Sequence, residues 1–112
     1  MKQDRSPMPG YPFFAHAELV VENSDVHVTA RLCALSREGC RLYVENPPLV
    51  GKSVFVKIYA WPHFLQVQGK VCRSDPDLLV AVAFGQIESC YVSVLDACLL
   101  EAEQKQHIRS VD

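Results

Sequence analysis

Six times between residues 15 and 84 the chain sets apolar side chains at every second position, then breaks off at a turn. Period two is the repeat of a strand lying against a core, because successive side chains of an extended backbone point to opposite faces. Ala15, Ala17, Leu19 and Val21 alternate with His16, Glu18 and Glu22. The turn Asn23-Ser24-Asp25 follows, and then Val26, Val28, Ala30 and Leu32 alternate with His27, Thr29 and Arg31. Beyond Gly39, Cys40, Leu42 and Val44 face one way and Arg41, Tyr43 and Glu45 the other, until Asn46-Pro47-Pro48 ends the run. Proline ends it because it has no N–H to give to a ladder.

Gly51-Lys52 restarts the pattern, with Val54, Val56 and Ile58 on one face and Phe55, Lys57 and Tyr59 on the other. The segment AWPHF, 60–64, reads as a connection or a bulged hairpin tip. Leu65, Val67, Gly69 and Val71 then alternate with Gln66, Gln68, Lys70 and Cys72, and SDPD, 74–77, is a tight turn. The last run, LLVAVAF at 78–84, is apolar at both sets of positions, which predicts a strand covered on both faces. From Ser89 the period changes to helical, and Tyr91, Val94, Leu95, Cys98, Leu99 and Ala102 share one side.

Short strands at this spacing, joined by turns, predict an all-β domain: a six-stranded antiparallel barrel with a C-terminal α-helix whose stripe covers the barrel's open mouth or flank. The expected organisation is an irregular arm over 1–12, rich in proline (SPMPGYP), a barrel-and-helix domain over 13–104, and an exposed tail over 105–112. A chain of 112 residues suits one domain.

A net charge of −2 argues against a nucleic-acid module that relies on a strong positive field. Met1-Lys2-Gln3-Asp4-Arg5 leads into prolines, unlike a signal peptide, and no apolar run reaches a membrane span, so a cytoplasmic protein is expected. Five cysteines, an odd number, point to free thiols in a reducing compartment. No CxxC or HxxxH pair marks a metal site, and no GxSxG elbow anchors hydrolase chemistry, so neither a metal nor catalysis is expected. His16 and His27 are expected to face each other across the first hairpin as a solvated pair, and Arg31, Arg41 and Lys57 either to form a basic stripe or to be interleaved with Glu18 and Glu45.

Two groups of residues offer function. Phe55, Tyr59, Trp61 and Phe64 cluster around the fourth strand; Tyr59, Trp61 and Phe64 make a protein-binding patch if exposed together, or else close one end of the barrel or pack on the helix. The second group is the connection Ala34-Leu35-Ser36-Arg37-Glu38-Gly39 between the second and third strands. Ser36 and Gly39 are residues a turn wants, serine for local backbone bonding and glycine for tolerating positive φ; they are equally what a ligand-gripping loop wants.

This connection, in this order of strands, resembles the PilZ domain family, whose loop motif is Asp/Asn-x-Ser-x-x-Gly. NPPLVGKSVFVKI and VQGKVCRSDPDLLVAVAFGQI are similar to the family's approach to its central strand and to its closing hairpin, and the resemblance covers roughly residues 11–100. It implies a noncatalytic receptor for cyclic di-GMP, with an Arg-x-x-x-Arg segment before the first strand to bind phosphate and guanine. Here the pattern departs from the family's. YPFFAHAELV aligns so that Ser6 and Gly10 stand where the two arginines belong, Arg5 is out of register, and Ala34 replaces the loop's acid or amide. The resemblance then implies a signalling or adaptor module with weak or lost cyclic di-GMP binding, acting on an unidentified signalling or motility protein. The alternatives are a working receptor that uses Ser36, Gly39, Arg37 and a flexible Arg5, and a small barrel that binds single-stranded nucleic acid through its aromatics.

Overall fold

A computed structural model describes residues 10–75 and 79–111, with side chains through residue 104. Six strands, β1 (Tyr11–Val21), β2 (His27–Leu35), β3 (Gly39–Val44), β4 (Ser53–Ala60), β5 (His63–Ser74) and β6 (Leu79–Phe84), precede one helix, α1 (Ser89–Val111). Every pairing is antiparallel, and the strands close into a barrel in the order β1-β2-β3-β6-β5-β4. The alternation explains the closure. Each strand has an inward set that cannot be left in water, and curling the sheet buries all six sets against one another. Leu19, Leu32, Leu42, Ile58, Leu65, Val56, Val67 and Val80 are among the fully enclosed side chains.

Helix α1 packs against β1 and β5. Its Leu95, Cys98, Leu99 and Ala102 join the same core as Phe13 and Leu35, so the helix plugs the end of the barrel where β1 begins and β2 stops. The expected stripe is the one that is buried. The backbone is helical through Val111, and the tail expected over 105–112 falls where side chains lie outside the described residues.

Four details differ from the sequence reading. Strand β1 starts at Tyr11, because its pairing with β2 slips between Pro12 and Ala15, which hides the alternation there. Strand β6 is covered on both faces only along part of its length. Val80 and Val82 point inward and Ala81 is buried on the other face, but Ala83 is exposed there, where its partners are Gly39 and Lys70. The tip at 60–64 is shorter than expected: Ala60 pairs with His63, leaving only Trp61 and Pro62, joined by a cis peptide bond, as the turn. Finally, His16 and His27 do not face each other. His16 lies opposite Arg31, while His27 lies opposite Val20 and its Nδ1 sits 3.0 Å from Glu18 Oε2.

Two other positions show how tightly the sheet is wound. Gly69 sits on the inner face of β5, where a Cβ would stand 2.6 Å from the Ala83 carbonyl oxygen and 2.7 Å from Val82 Cγ1. Gly51, with φ +96°, makes the corner into β4, and its N–H donates to the Val71 carbonyl at 2.7 Å.

Candidate functional site

The β2–β3 connection is built by one hydroxyl. Ser36 Oγ accepts from the N–H of Glu38 and of Gly39, each at 3.1 Å, and lies 3.3 Å from the Gly39 carbonyl, to which it donates. The Ser36 N–H closes the turn on that same carbonyl at 2.9 Å, and the Glu38 carbonyl accepts from Phe84 N–H at 2.7 Å. Gly39 is buried as the first residue of β3, opposite Ala83. The positive φ expected of it occurs instead at Gly51, the positive-φ glycine among the described residues.

Around this turn lies a cleft of about 580 Å³ between the barrel end and the helix. Gly10 and Tyr11 line it where the chain enters β1; Ser36, Arg37 and Glu38 line it from the turn; Asp96, Leu99, Leu100 and Glu103 line it from α1. The Arg37 guanidinium reaches across and hydrogen bonds Asp96 Oδ1, tying loop to helix. Among the described residues the lining therefore sets one guanidinium, already paired, against the carboxylates of Glu38, Asp96 and Glu103. Gly10 also has no room for a side chain, since a Cβ there would stand 2.7 Å from the Leu35 carbonyl oxygen and 2.9 Å from its carbon. Ser36, Gly39 and Arg37 are thus brought together at one place. Arg5 lies outside the described residues.

The aromatic group splits. Tyr59 and Phe64 are cross-strand partners on the outside of β4 and β5, with ring centroids 5.2 Å apart, and Phe64 meets Tyr91 of α1 edge-on at 6.2 Å. Trp61, at the tip beside them, is 93% exposed. Phe55 is half-buried further along β4 and takes no part in the patch. The patch gains a member that sequence reasoning missed. Phe14, 70% exposed, lies two residues before His16 on β1, just as Trp61 lies two residues after His16's partner Tyr59. The only local signal was a second phenylalanine interrupting the alternation of β1.

The basic stripe does not form. Arg31 lies opposite His16 and Tyr43, Lys57 opposite Glu18 and Gln66, and Arg41 on the far side of the barrel opposite Ala81. Among the described residues no group of His, Cys, Asp and Glu could hold a metal ion, and no helix is long and apolar enough to cross a membrane.

The cysteines are all unpaired thiols. Burial pushes the Cys40 thiol far above its ordinary range, and the neighbouring Cys33 and Cys72 push in the same direction. Burial also raises Cys33, against the pull of the Arg41 guanidinium, and Cys98, helped by Glu101. None of the three is a poised nucleophile.

Compared with known families, residues 2–101 match the PilZ domain. No curated protein matches the chain. With the match running through all six strands and into α1, the chain belongs to the PilZ domain family, a family of cyclic di-GMP receptors that are generally noncatalytic.

Proposed function

We propose that this PilZ domain is a noncatalytic signalling adaptor that engages a protein partner through its exposed aromatic face and binds cyclic di-GMP weakly or not at all. The observation that carries the reading is the charge of the cleft beside the Ser36–Gly39 turn: among the described residues, one guanidinium, spent on Asp96, stands with three carboxylates. A ligand with two phosphodiesters would have to pull Arg37 away from Asp96 and sit beside Glu38 and Glu103. Like charges at that range cost affinity where the family's arginines would add it.

The crowding at Gly10 supports the same reading. The position aligned with the second arginine packs its backbone on Leu35 and offers nothing to phosphate. Ala34, in place of the loop's acid or amide, has no hydrogen bond to give a guanine edge. Each missing charge-assisted bond is worth about 1.5–3 kcal/mol. At about 1.4 kcal/mol per decade, losing two or three turns a micromolar site into a millimolar one. Ser36 is fully occupied in shaping the turn.

The partner-binding half of the proposal rests on Tyr59, Trp61 and Phe64. A tryptophan held out on a two-residue turn, beside a tyrosine and phenylalanine whose rings meet at a tilt, is costly to leave in water and of the type that anchors interfaces. One observation favours the working-receptor alternative: Ser36 and Arg37 share the cleft with Gly10, from which the chain leads back to Arg5. Titration calorimetry with cyclic di-GMP decides between the two. The adaptor reading expects a dissociation constant weaker than about 100 µM, and a value below about 10 µM refutes it.

A further inference from the structure

We infer that the aromatic face recognises a partner segment that is acidic as well as apolar, and that Arg31, His16 and Lys57 supply this selectivity. The inference rests on the adaptor reading above and adds the partner's chemistry. One outward rung of the barrel runs Arg31, His16, Tyr59, Phe64 across β2, β1, β4 and β5, each opposite the next. The aromatics therefore do not stand alone; the rung that holds Tyr59 and Phe64 continues directly into an exposed guanidinium. On the next rung Lys57 sits between Glu18 and Gln66. Among the described residues two acids lie nearby: Glu18, engaged by His27 at 3.0 Å on the side away from Lys57, and Glu88, which shares a cleft with Gln66 at the start of α1.

The β1–β2 side of the patch, away from α1, is thus cationic on a chain whose net charge is −2, while the carboxylates of Glu38, Asp96 and Glu103 gather at the separate cleft. A segment with an apolar or aromatic side chain for the Tyr59–Trp61–Phe64 surface and a carboxylate one or two residues away would bury the first and pair the second with Arg31 or Lys57. Such pairing steers encounter and rejects wrong partners more than it adds affinity, so it should read out as selectivity. Among the described residues two fixed cations beside Glu18 and Glu88 are too few to hold a membrane surface, where each adds about 1 kcal/mol, or a single strand of nucleic acid, whose affinity grows with the number of phosphates neutralised.

The test uses the full chain and a phage-displayed library of random 12-residue peptides, selected on wild type and counter-selected on Trp61→Ala/Tyr59→Ala. Enriched peptides without tryptophan are then synthesised and titrated against the emission of Trp61, the single tryptophan. The expected result is enrichment of peptides that combine Asp or Glu with Phe, Leu or Tyr, a blue shift on binding, and at least a tenfold loss of affinity in Arg31→Glu with an unchanged circular dichroism spectrum. Enriched peptides that are basic or uncharged, or that bind Arg31→Glu as well as wild type, overturn the inference and leave the adaptor reading standing. Failure to enrich any peptide over the counter-selection overturns both. A Trp61 shift with phosphatidylglycerol vesicles or an oligo-dT strand and none with acidic peptides overturns the inference in favour of those ligands, and a shift that depends on protein concentration alone does so in favour of a second copy of the chain.

Discussion

Replacing Ser36 by alanine removes a single oxygen, and the geometry says what that oxygen is worth. It accepts from two backbone N–H groups, those of Glu38 and Gly39. Glu38 is exposed, so its N–H finds water and little is lost there, about 0.5 kcal/mol. Gly39 is buried, and its N–H is left without the hydroxyl that the structure gives it; an orphaned buried donor costs about 1–3 kcal/mol, the lower end applying where water can follow. The sum is about 1.5–3.5 kcal/mol, and the lower end applies here because the turn borders an open cleft that water can enter. With a urea dependence of about 1–2 kcal/mol per molar for a domain of this size, the unfolding midpoint should fall by roughly 1 M with the slope unchanged. Ser36→Thr, which keeps the acceptor, should recover most of the loss. A midpoint shift below about 0.2 M in Ser36→Ala would refute the argument that this hydroxyl exists to hold the turn.

Gly69→Val should destabilise the barrel by about 1–3 kcal/mol or more, read in the same urea experiment, because its Cβ meets the Ala83 backbone at 2.6 Å and a carbonyl cannot step aside as a side chain can. Gly10→Arg should leave cyclic di-GMP binding weaker than about 100 µM by calorimetry and also lower the melting temperature; tight binding in that variant would mean that the strand entry relaxes to admit the side chain. The thiols make a prediction in pH. Cys33, Cys40 and Cys98 are all raised above the ordinary thiol value of 9.0. Their contribution is therefore intact below pH 9 and lost as pH rises beyond it, since the unfolded chain sheds those protons first. The wild type should lose more melting temperature between pH 8 and pH 10 than Cys40→Ala/Cys98→Ala does, and equal losses would contradict it.

What could be read from the sequence was what is local. Alternation located the six strands and told inside from outside, because that periodicity follows from backbone geometry whatever the strand's neighbours. The helix stripe was legible for the same reason, and Ser36 and Gly39 could be placed in a turn because serine and glycine act within a few residues of themselves. What could not be read was the register between distant strands. His16 meets Tyr59 across more than forty residues of chain, so nothing local indicated that Phe14 and Arg31 border the same surface as Trp61. The bulge that hid the start of β1 and the Arg37–Asp96 tie have the same origin, in strand closure and helix docking that no window of sequence contains. Strand β6 misled at Ala83 alone of its two alanines, because a small residue can be apolar without being covered: alanine on an outer face costs little in water.

The pairing of β1 with β4 has one more consequence. Where β1 pairs on both sides, over His16–Val21, no spare row of N–H and C=O groups remains, so an incoming polypeptide cannot dock there by adding a strand. Along that stretch main-chain recognition, tolerant of almost any sequence, is denied. A partner meeting that face is chosen by the side chains of its outer rungs, where single substitutions can change the preference and leave the scaffold untouched.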